Sequence, residues 1–157
     1  MLEPIVGWRV WDAYADDGLL RSVFQTDIWP PGERFDARCR RQGMIYIAGR
    51  ECEEAPRTAC CCGIYAVTEE EDLVGFPRYT KDWKPGRVAF EVVGTVSLWG
   101  RIVQHETGYR AQHAYPYSLW VKPPNHGQHS RDVVKLACSE LAMKLRQNYT
   151  VDVGIMR

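Results

Sequence analysis

Hydrophobic positions along this chain recur mostly at every second residue, the period of a strand with one buried face. In residues 7–14 (GWRVWDAY), Trp8, Val10 and Asp12 alternate with Arg9, Trp11 and Ala13. Asp16-Asp17-Gly18 is a turn signal before a second apolar run over 19–29, so the two segments predict a hairpin. Trp29-Pro30-Pro31-Gly32 ends it, because tandem prolines remove ladder donors. Residues 35–41 fit neither period, 44–48 (MIYIA) predict a short strand, and 51–62 reads as a loop containing Pro56. Residues 63–67 (GIYAV) predict another strand. Thr68 followed by Glu69, Glu70, Glu71 and Asp72 predicts a short helix start, with carboxylates where the helix dipole favours them.

The strongest β pattern covers 88–106, with Val96, Leu98, Gly100 and Ile102 on one face and Thr95, Ser97, Trp99 and Arg101 on the other. Gly94 and Gly100 predict bulges or sharp bends. Thr107-Gly108 predicts a turn into strands over 109–115 and 118–121. Residues 130–148 then switch to helical spacing: Val134, Ala137, Cys138, Leu141 and Leu145 form one stripe, with Ser130 as N-cap and Asn148 as C-cap. Residues 149–155 alternate weakly and predict an edge strand. Strands are not interleaved with long helices, which argues against a doubly wound parallel sheet. The pattern predicts an α+β fold: a mainly antiparallel, bent β-sheet or small β-barrel with the C-terminal helix packed on it.

The 157 residues predict a single domain, 1–157, able to bury about two thirds of its unfolded surface. Basic and acidic side chains number 20 each, so phosphate neutralisation in bulk is not the expected chemistry. The balance hides an asymmetry. Residues 1–80 carry a net charge of −5 and residues 81–157 a net of +5, an arrangement that cancels inside one fold or shows two faces to partners. No signal-peptide pattern or membrane-spanning apolar run is visible, so the expected location is the cytoplasm.

Reducing conditions there keep thiols free or metal-bound. Cys39, Cys52, Cys60 and Cys62 have twelve, seven and one residues between them. Four thiolates saturate a tetrahedral zinc ion, although the spacing does not match paired Cys-x-x-Cys knuckles. Three readings stand: a structural zinc site, ordinary buried or free cysteines, or a redox thiol. Cys61 alternates with its neighbours and points away from them, whereas Cys138 belongs to the helical stripe.

His105, Glu106, Arg110 and His113 gather around the turn at Thr107-Gly108. His105, Arg110 and His113 would give an enzyme a base and an anion-binding guanidinium; the bland alternative is a polar hairpin tip. His126 and His129 lie in a polar loop. No nucleophile elbow, phosphate loop, paired-histidine zinc motif or dinucleotide fingerprint is present. Aromatics at loops and strand ends (Trp29, Trp83, Tyr115 and Tyr117), together with Arg110, form a candidate binding set for a base or a protein surface.

Gly7-Trp8-Arg9-Val10-Trp11, Trp29-Pro30, Ala37-Arg38-Cys39, Ala55-Pro56, Cys60-x-Cys62-Gly63-Ile64-Tyr65-Ala66, Gly94-x-Val96-x-Leu98-Trp99-Gly100 and Gly108-Tyr109-Arg110-Ala111 together resemble a family of small actinobacterial and mobile-element (phage-like) proteins. The likeness runs from about residue 7 to 121 and implies no particular activity. Members similar to this chain often place a histidine just before the Ala-Pro pair. Here Glu53 and Glu54 stand there, with Cys52 beside them. The reading that follows is a non-enzymatic binding or regulatory module, zinc-stapled, that meets a macromolecular partner, a protein first. The alternative is a small enzyme or reader of a nucleotide, modified base or single-stranded nucleic acid.

Overall fold

A computed structural model describes residues 3–23, 27–39, 52–75, 89–124 and 131–157. The elements run β1 (Ile5–Tyr14), β2 (Leu20–Ser22), β3 (Phe35–Asp36), β4 (Ile64–Val67), a 3-10 turn (Glu70–Gly75), β5 (Ala89–Gln104), β6 (Gly108–Lys122), α1 (Arg131–Tyr149) and β7 (Asp152–Ile155). This is the α+β bent sheet that the alternation predicts. The strand expected over 44–48 and the N-cap at Ser130 lie outside the described residues.

The long β5–β6 hairpin is the spine. Val, Ile, Leu and aromatic side chains at alternate positions suit a pleated, half-buried surface. Register shifts fall between Thr95 and Val96 and between Trp99 and Ile102. Gly100 lies inside the second shift with φ 78°. Gly94 instead permits close approach, because a Cβ there would sit 2.3 Å from the Ser118 carbonyl oxygen. Pro116 falls at the first shift, opposite Val96, where a missing N–H is tolerated. The two predicted strands over 109–121 therefore join into one.

β1 pairs with β5 along its whole length, β5 with β6, and β6 with β4. β4 returns to β1 through one residue pair, Trp8 and Val67. Four strands thus close a ring with one narrow seam, a bent sheet rather than an even barrel. The second edge of β6 is covered in turn by β4, by β3 at Phe35 and Asp36, and by β7 running parallel. That parallel strand makes the sheet mixed.

The main core holds Trp11, Trp29, Phe90, Val96, Leu98, Leu141, Leu145 and Tyr149. Val10, Val23, Leu73 and Val93 form a second cluster on the opposite face of β1 and β5, as the period of two requires. Cys138, Leu141 and Leu145 of the predicted stripe are buried, while Val134 and Ala137 are partly so. The end of α1 clamps the β1–β2 turn. Lys144 Nζ donates to the Ala15 and Asp16 carbonyls, and Asn148 Nδ2 to those of Asp17 and Gly18. Asn148 therefore does not cap the helix; Thr150, with φ 54°, follows its last turn. Among the described residues no helix is long and apolar enough to cross a membrane.

Candidate metal centre

Three stretches of chain deliver the cysteines. β3 binds the edge of β6, and the Ala37 N–H donates to the Gln112 carbonyl at 2.8 Å, which sets Cys39 beside the sheet. Cys52 opens a loop that returns through Cys60 and Cys62 into β4. The Cys60 N–H donates to the Arg57 carbonyl at 3.1 Å, closing a tight turn before the Cys-x-Cys pair. Cys39, Cys60 and Cys62 are buried and Cys52 partly so, in a small cluster with Ala37 and Ala55.

The sulfurs of Cys39, Cys52, Cys60 and Cys62 all lie within 4.8 Å of one another, a set that can hold a metal ion. The Cys39 and Cys60 sulfurs are 3.8 Å apart. That is far beyond a disulfide bond and close to the edge of a thiolate tetrahedron, about 3.8 Å for metal–sulfur bonds of about 2.3 Å. None of the six cysteines is in a disulfide. Cys61 is exposed, as alternation predicts, and Cys138 is buried on the core face of α1.

Electrostatics within the cluster are uneven. Burial pushes Cys60 up, but the Cys62 N–H and the neighbouring thiols stabilise its sulfur more and bring it down to about 6. Burial and hydrogen bonding to the other three cysteines push Cys52 up to about 12, and burial also raises Cys62. Without a cation the cluster thus favours negative charge on Cys60 over Cys52 and Cys62. A bound cation would displace the remaining protons.

Arg110 anchors this loop from β6. Its side chain is buried, at 3% exposure. Nη1 donates to the carbonyls of Cys60 and Cys62, both at 2.6 Å, and of Arg57 at 3.2 Å. Nε donates to His105 Nε2 at 2.7 Å. Gly63, with φ 129°, makes room: a Cβ there would lie 2.9 Å from the Cβ atoms of both Arg110 and Pro56. Sequence reasoning placed Arg110 at a catalytic or binding tip and missed this role. Its place opposite Tyr65, next to the Cys-x-Cys-Gly run, is a strand register that the sequence does not show.

His113 does not join His105 and Arg110. It lies three residues further along β6, about 10 Å at a strand's rise, and bonds the Asp36 carboxylate at 2.7 Å. The described aromatics of the binding set do not gather at one place either. Trp29 is a core residue, stacked on Phe35 at 4.4 Å and set edge-on to Trp11 at 5.4 Å. Tyr115 is tied inward, donating to the Tyr149 carbonyl at 2.9 Å and accepting from the Gly32 N–H at 3.0 Å. Tyr117 is exposed beside the first register shift. Trp83, His126 and His129 lie outside the described residues. Comparison of the chain with protein-family models, with curated proteins and with solved structures returned no match.

Proposed function

We propose that this chain is a non-enzymatic binding or regulatory module whose four-cysteine centre holds a structural zinc ion. The observation that carries the reading is the convergence of Cys39, Cys52, Cys60 and Cys62 within 4.8 Å. Four sulfur donors suit zinc in a closed tetrahedral site. A saturated site leaves no position for a substrate or an activated water, so the ion would fasten the loop to the sheet instead of reacting. The same chemistry favours a reducing compartment such as the cytoplasm. The neutral chain with oppositely charged halves favours a protein partner over bulk nucleic acid.

The test is elemental analysis of the full chain purified under reducing conditions. One zinc per chain is expected, falling below about a tenth of that in the double variant Cys60→Ser/Cys62→Ser, on the logic that removing two of four thiolates opens the site. Wild-type protein that neither retains zinc nor takes it up on titration overturns the reading.

A further inference from the structure

We infer that Arg110 is the positioning residue of this metal centre and the counter-charge to its thiolates, an inference that rests on the metal reading above. The guanidinium is buried, and burying a cation away from water is unfavourable unless something compensates it. Among the described residues no carboxylate forms an ion pair with it. Its partners are three loop carbonyls and a histidine nitrogen. Two of those carbonyls belong to Cys60 and Cys62, whose sulfurs face the site. A divalent cation on four thiolates leaves two negative charges in excess, which is the compensation this cation lacks.

The geometry carries a second consequence. One nitrogen, Nη1, spans the turn from Arg57 to Cys62, so the spacing of the Cys-x-Cys pair is fixed from β6 before any ion arrives. His105 holds the other end of the fork. Its Nε2 accepts from Arg110 Nε, so the neutral ring carries its proton on Nδ1. This orients the guanidinium much as outer partners orient ligands at metal sites in general.

The test uses the full, reduced chain. Zinc affinity is measured by competition with a chromophoric chelator for wild type, Arg110→Gln and Arg110→Lys, with circular dichroism to check folding. Arg110→Gln is expected to bind zinc about 10- to 100-fold more weakly. Arg110→Lys keeps the charge without the fork and is expected to fall between the two. Cobalt substitution adds a readout that packing alone does not move. Loss of a nearby positive charge makes the sulfurs better electron donors, so the thiolate-to-cobalt band shifts to longer wavelength in Arg110→Gln and stays near the wild-type position in Arg110→Lys. Wild-type affinity or an unmoved band in Arg110→Gln overturns the inference, as does a Lys variant no better than the Gln variant. Should Arg110→Gln fail to fold, Arg110→Lys and His105→Phe carry the test, and wild-type affinity in both refutes it. Wild type that leaves all zinc on the chelator instead overturns the metal centre itself.

Discussion

Gly63→Ala probes the joint between the cysteine loop and the sheet. Gly63 has φ 129°, a region that side chains rarely adopt, and such backbone costs about 1–3 kcal/mol. The new methyl group would also stand 2.9 Å from the Cβ atoms of Arg110 and Pro56. Neither is the free end of a flexible side chain, so the backbone must move; overpacking of this kind costs about 1–3 kcal/mol. One displacement of the loop from β6 relieves part of both, giving a net loss of about 3 kcal/mol. For a chain of this size that lowers the melting temperature by about 6–12 °C. The assay is urea denaturation at neutral pH with zinc present. Gly32→Ala is the control: Gly32 has φ 73° but open space around it, so only the left-handed backbone counts, about 1 kcal/mol. Equal losses at the two glycines, or a loss below about 0.5 kcal/mol at Gly63, would refute the packing of β4, Pro56 and Arg110 described above.

Tyr149 donates to the Trp29 carbonyl at 2.7 Å and accepts from the Leu20 N–H at 2.8 Å, so Tyr149→Phe strands two buried backbone groups and should cost about 2–4 kcal/mol in denaturant titrations. Burial holds the Tyr149 hydroxyl up to about 12, above its ordinary value of 10.0; its contribution is full below pH 10 and lost as pH rises through about 12, so the gap between wild type and variant should close over that window. Stripping zinc from the zinc-loaded chain with a chelator should accelerate amide hydrogen exchange in residues 52–62 while β5 and β6 stay protected; uniform loss of protection across the sheet would contradict a separate cysteine cluster.

The parts of the fold legible in the sequence are those set by local period. β1, β5 and the stripe of α1 follow from alternation and helical spacing, and the four cysteines follow from thiol chemistry. What period cannot supply is closure. The β4–β1 seam is one residue pair, Trp8 with Val67, too short to leave a signature. Trp29 sits beside two prolines and reads as a loop residue, yet its ring packs on Trp11 and Phe35 and its carbonyl accepts from Tyr149, 120 residues on. Arg110 meets His105 at the turn, as its place in the chain suggests, but its contacts with the Arg57, Cys60 and Cys62 carbonyls span 48 to 53 residues. Ala111 and Ala114 are both fully buried in one core, although three residues apart a regular strand would put them on opposite faces. β6 changes its inward face there, opposite the bulge at Gly100 and Arg101. Extrapolated alternation therefore fails where the site is built.

The separation of cluster and core decides what a metal can do here. Trp11, Trp29, Phe90 and the α1 stripe pack together without any of the four cysteines at positions 39, 52, 60 and 62, which instead form their own cluster with Ala37, Ala55 and one another. A zinc-finger peptide without its ion has no core to fall back on. This sheet has one of its own, so a bound metal would act on the loop and not on the closure of the ring. Two links join them: Ala37 packs against both clusters, and Arg110 reaches from β6 to three loop carbonyls, with Gly63 giving it room. The loop also carries Cys61 outward, with the Tyr65 hydroxyl bonded to the Cys61 carbonyl at 2.5 Å. Holding the buried cysteines in place would thus also hold the exposed edge between them, where Cys61 lies.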